Sequence, residues 1–105
     1  MTPADSLVAL KEVWLPGQRA FFEYHCFESH FSGDAQAWYR SHQPVTVLAL
    51  EPGDWEPGMT AAERAEACTP ATYRVRWADG FEWSVWEDEL LTHPRFYYRP
   101  DPPTA

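Results

Sequence analysis

Tyr73-Arg74-Val75-Arg76-Trp77-Ala78-Asp79-Gly80-Phe81-Glu82-Trp83-Ser84-Val85 alternates large apolar and polar residues on both sides of Ala78-Asp79-Gly80. Period-two alternation about a turn sequence reads as a β-hairpin. A two-residue Asp79-Gly80 loop would set Arg76 opposite Trp83 and Trp77 opposite Glu82, mixing polarity on both faces. A three-residue loop, Ala78-Asp79-Gly80, sorts them. It pairs Tyr73 with Val85, Val75 with Trp83 and Trp77 with Phe81 on one apolar face, and Arg74 with Ser84 and Arg76 with Glu82 on the other. Gly80 then takes the left-handed position of the bulge that such loops carry.

Working outward, Trp86-Glu87-Asp88-Glu89-Leu90-Leu91 reads as one helical turn that turns its leucines inward, and Phe96-Tyr97-Tyr98-Arg99 as a closing strand. Residues 100–105 are a proline-rich tail. Before the hairpin, Val45-Thr46-Val47-Leu48-Ala49-Leu50 is a β-branched run with apolar residues on both faces, as a central strand has. Glu51-Pro52-Gly53-Asp54-Trp55-Glu56-Pro57-Gly58 cannot continue it, because proline removes donors and glycine favours turns. Thr60-Ala61-Ala62-Glu63 matches a capping box and starts a short helix inside this connection. Residues 18–31 are β-prone and dense in aromatics, with Ala20, Phe22, Tyr24 and Cys26 facing inward and Phe21, Glu23, His25 and Phe27 facing out or lying under a loop. Asp34 caps a helical turn through Ala35, Gln36, Ala37, Trp38 and Tyr39. At the start, residues 5–15 place Leu7, Leu10 and Trp14 on one face of a helix, with Asp5 or Ser6 as cap and Pro16-Gly17 as stop. The runs Val8-Ala9-Leu10 and Val13-Trp14-Leu15 also suit extended chain.

With 105 residues, 45% hydrophobic and 16% aromatic, the chain has the makings of one globular domain, expected over residues 1–99. Its formal charge of -8, from 16 acidic against 8 basic residues, repels phosphate backbones and anionic lipid. Neither direct nucleic-acid binding nor membrane binding is expected, and a cationic protein or peptide is the favoured partner. Cys26 and Cys68 form no Cys-x-x-Cys spacing, and no apolar run approaches a membrane span, so a cytoplasmic location is expected.

Strand, long loop, strand, loop, tight hairpin, acidic turn and last strand is an order similar to the SH3-like barrel, in its Tudor-like branch. Tyr73-Arg74-Val75-Arg76-Trp77 with Asp79-Gly80, then Val85 and the turn from Glu87 to Leu90, resembles the hairpin and following turn of those barrels. The expected fold is therefore a mainly β, SH3-like barrel of about five strands, with the N-terminal helix 5–15 and the long insertion 51–70 as additions to the small family pattern. The resemblance implies a binding module: Tudor-like domains hold cationic side chains among aromatic rings, other SH3-like barrels bind proline-rich peptides, and several brace larger proteins. Fold alone does not decide among these.

The residues that carry chemistry are loop aromatics beside acids. Trp38, Tyr39 and Trp55 lie in or next to loops, and Trp86 falls on the polar face of the hairpin. With Asp54, Glu87 and Asp88 they make a candidate cation site, since rings desolvate a cation that carboxylates neutralise. The competing structural account has Trp38 and Tyr39 plugging the barrel end, Trp55 pinning the long loop and Trp86 packing under the N-terminal helix. Glu51, Asp54 and Glu56 join Glu87, Asp88 and Glu89 on one acidic face if the long loop folds over. His25, Cys26, His30 and His42 offer zinc-type ligands, but His25 and Cys26 point to opposite faces of a strand, and neither metal nor other cofactor is expected. The leading reading is a non-catalytic interaction module. One rival is a small-molecule enzyme using Glu87, Asp88 or Glu89 with a histidine as acid and base. Another is an acidic mimic of nucleic-acid charge.

Overall fold

The three-residue hairpin register is the one found in the computed structural model of the chain, which describes residues 9–25, 32–53 and 55–102. In chain order the elements are β1 (Arg19–Phe22), α1 (Ala35–Tyr39), β2 (Gln43–Leu50), α2 (Ala61–Glu66), β3 (Thr72–Trp77), β4 (Glu82–Trp86), a 3-10 turn (Glu87–Glu89), β5 (Leu90–Leu91) and a second 3-10 turn (Pro94–Phe96). Between β3 and β4, Tyr73 faces Val85, Val75 faces Trp83 and Arg76 faces Glu82. Trp77 N–H donates to the Phe81 carbonyl at 2.9 Å, and Gly80 sits at φ +90° as the loop requires. Tyr73, Val75, Trp77 and Val85 are buried, whereas Phe81 and Trp83 are half-buried and stack on each other with centroids 5.6 Å apart.

The five strands form one open antiparallel sheet in the order β4-β3-β2-β1-β5. The chain is thus mainly β, with two short helices. β2 is central, as its apolar pattern requires. A bulge at Leu48 lets Val47 face Val75 and yet brings Leu50 opposite Tyr73. One extra residue shifts the phase of the strand, so Leu50 joins the side held earlier by Val45 and Val47. In β1 and just beyond it, Ala20, Phe22 and Tyr24 are inward as expected, and Cys26 and Phe27 lie outside the described residues.

Two expected elements are replaced. Residues 9–15 are irregular rather than helical, and 5–8 lie outside the described residues. Side-chain acceptors take the amides a helix would need: Trp14 N–H donates to the distant Tyr73 Oη at 3.1 Å and Leu15 N–H to the nearby Gln18 Oε1 at 2.8 Å. Trp14 enters the core as the anchor of this arm, leaving Leu10, Val13 and Leu15 exposed. The closing strand at 96–99 is likewise absent, and Leu90–Leu91 closes on β1 instead. Pro94 has no N–H and starts a 3-10 turn, after which Tyr98 and Arg99 donate their amides to the Glu23 carboxylate, at 3.2 and 3.0 Å, rather than to a strand. That contact buries Glu23.

The capping box on α2 is formed: Glu63 N–H donates to Thr60 Oγ1 at 3.1 Å and Thr60 N–H to Glu63 Oε1 at 3.0 Å. Asp34 occupies the N-cap of α1 but makes no side-chain cap bond. Cys68 is exposed at φ +58° just after α2.

Candidate functional site

Arg64 is the large basic side chain on a helix otherwise made of alanines and glutamates, and it turns inward. Its Nε and Nη2 donate to Glu87 Oε2 and Oε1 at 2.9 and 2.7 Å, and its Nη1 donates to the Met59 carbonyl at 2.5 Å. Ala71 N–H also donates to Glu87 Oε2, at 2.5 Å. Both side chains are more than nine-tenths buried, so this bidentate pair ties α2 to the acidic 3-10 turn from inside. Burial works against the Glu87 charge, but the Arg64 and Ala71 hydrogen bonds outweigh it and hold the carboxyl below its ordinary pKa. The Trp55 ring lies over the same guanidinium, at 5.5 Å from its carbon. It folds back across the backbone, where a Cβ on Gly53 would sit 2.5 Å from Trp55 Nε1.

A second guanidinium sits at the hairpin tip. Arg40, just past α1, lies 4.1 Å from the Phe81 centroid and donates to Asp79 Oδ2 from Nε and Nη2 at 3.1 and 2.8 Å. The hydrogen bond from Phe81 N–H, then those from Arg40, lower the Asp79 pKa. Trp38 and Tyr39 stack on each other beside this cluster, and Trp38 packs on the core.

The residues expected to form one site therefore separate. Trp38 and Tyr39 belong to the Trp77 end of β3, and Trp55 with Glu87 to the Tyr73 end, roughly 13 Å away at strand rise. Asp54 lies outside the described residues. At the Tyr73 end Trp86 and Asp88 are exposed, while Glu87 is committed to Arg64. The residues that sequence reasoning missed are Arg64, Arg40, Glu12 and Leu10. A single arginine among small residues on a capped helix was the available signal for Arg64.

Two clefts adjoin there, on either side of Glu12. One, of about 370 Å³, has walls of Leu10, Ala61, Ala65 and Pro70, with Lys11, Glu12 and Asp88 as its exposed charged residues. The other, of about 450 Å³, is lined by Val13, Leu50, Trp55, Met59 and Tyr73 with Arg64 at its inner side. The Glu12 side chain is 63% exposed although its Oε2 accepts the Ala61 N–H at 2.8 Å.

His25 and His42 pair with carboxylates. His25 Nδ1 lies 2.7 Å from Glu89 Oε2, and Glu89 Oε1 accepts the Trp86 N–H at 2.8 Å. Burial raises the Glu89 pKa against the pull of these hydrogen bonds. Among the described residues no three of His, Cys, Asp and Glu converge as a metal-ligand set, and no helix is long and apolar enough to cross a membrane. No protein-family model matches this chain, and no curated protein or solved structure matches it.

Proposed function

We propose that the chain is a non-catalytic interaction module of SH3-like, Tudor-like architecture that engages a cationic peptide, protein surface or small cationic ligand. The architectural part draws on the strand order β4-β3-β2-β1-β5 and on the 3-10 turn that carries β4 into β5. The functional part rests on the pair of clefts. Their walls are largely apolar, Leu10, Val13 and Leu50 beside them are exposed, and Asp88 and Glu12, the latter 4.0 Å from Arg64 Nη2, lie exposed at the rim next to Lys11. Arg64 already neutralises Glu87 from inside, so the external partner answers Glu12 and Asp88. A lysine or arginine next to a large apolar side chain satisfies both features.

The test is selection from a displayed random-peptide library on the folded chain. Enrichment of sequences with Lys or Arg beside a large apolar residue is the expected outcome. Enrichment of acidic sequences, or none, contradicts the reading.

The His25–Glu89 pair favours one further reading, an acid–base enzyme in which Glu89 orients the imidazole. That reading needs substrate turnover that Glu89→Gln abolishes while peptide binding persists.

A further inference from the structure

His42 presents both ring nitrogens to carboxylates. Its Nε2 lies 2.5 Å from Glu23 Oε2, and its Nδ1 lies 2.9 Å from Asp101 Oδ1. A neutral imidazole has one N–H, so it can donate to only one of them; the protonated ring donates to both. The Tyr97 ring stacks on the imidazole with centroids 4.2 Å apart. Glu23, 4% exposed, also accepts the amides of Tyr98 and Arg99. Around one imidazole, then, the segment 97–101 is fastened to the residue that follows β1.

We propose that this clasp is a proton-sensitive fastening of the C-terminal segment, closed while His42 carries both protons and opened when it loses one. The groups facing the ring are Glu23 from the end of β1 and Asp101 and Tyr97 from the C-terminal segment. Arg40, next but one in the chain, is drawn away to Asp79, and the Arg99 guanidinium lies by Tyr98 Oη at 3.2 Å. Burial, then the Glu23 charge, pushes the Tyr97 hydroxyl up to about 12, so the stacked ring stays neutral throughout. Loss of the His42 proton leaves a bare lone pair against one carboxylate. Asp101, whose side chain is 95% exposed, is the partner free to leave. The protonated ring can donate to both carboxylates and the neutral ring to only one, so the contact with Asp101 is the one that loss of a proton removes. The backbone adds a constraint, because His42 sits at φ +66°, which asparagine tolerates better than most residues.

The experiment is NMR of the full chain from about pH 5 to about pH 8, the range in which imidazoles titrate. It follows the His42 ring nitrogens and the exchange of the Tyr98 and Arg99 amides, corrected for hydroxide catalysis. The expected result is two protonated nitrogens with protected amides at the acidic end. As the ring deprotonates, corrected exchange should rise about tenfold, since hydrogen bonds to charged groups are of that strength. Asp101→Asn should remove most of that step, and His42→Asn, which keeps the backbone conformation accessible, should abolish it. A singly protonated His42 ring with both amides still protected overturns the proposal, as does an unchanged step in His42→Asn.

Discussion

Replacing Glu87 by alanine leaves the Arg64 guanidinium buried without its counter-ion, which destabilises a fold by about 3–5 kcal/mol. Urea unfolding of Glu87→Ala against the parent chain checks this. The pH dependence has a definite sign. The Glu87 carboxyl is held below its ordinary value, so its contribution is full above its unfolded pKa of about 4 and is lost as pH falls through the folded value. The stability gap between the parent chain and Glu87→Gln should therefore be widest near neutrality and close in acid. A gap independent of pH contradicts the pairing. Gly53 supplies a second test, because a methyl group there collides with the Trp55 indole that packs over Arg64. Gly53→Ala should shift the Trp55 indole N–H resonance while leaving that of Trp77, which donates to the Arg40 carbonyl, in place.

The hairpin owes its stability to one face. Trp77, 1% exposed, meets Phe22 edge-on with ring centroids 5.0 Å apart, so Trp77→Ala should cost about 3–5 kcal/mol in urea unfolding. Trp83 lies on the same face but is half-buried and should cost less, and equal losses would contradict that difference in burial. This register was legible because period-two alternation and loop length fix it together, with no help from the rest of the chain. The arm at 9–15 and the segment at 96–99 were not legible for the opposite reason. Their amides are claimed by Tyr73 and Glu23, acceptors 59 and about 75 residues away in sequence, and local periodicity does not record them. The bulge at Leu48 hides in the same way, since a run apolar on both faces reads the same in either phase.

At the scale of the molecule, aromatic rings near carboxylates were visible in the sequence and their arrangement was not. Arg64 is 23 residues from Glu87 and Arg40 is 39 from Asp79, so the chain's own cations at both clusters emerge only from the fold. Those internal pairs leave Glu12 and Asp88 as exposed acids beside the apolar clefts. The formal charge of -8 acts over the whole surface, and salt screens it beyond a Debye length of about 8 Å at physiological ionic strength. The most direct measurement is the binding kinetics of a selected Lys/Arg-rich peptide with one large apolar residue, at low and physiological salt. It compares the parent chain with Glu12→Gln/Asp88→Asn, Leu10→Ala, Trp55→Ala and Trp86→Ala, each shown to be folded. Association is expected to slow with salt in the parent and less so in the acid variant, with faster dissociation in Leu10→Ala or Trp55→Ala. Salt-independent association, with dissociation unchanged in every variant, would contradict the proposed function.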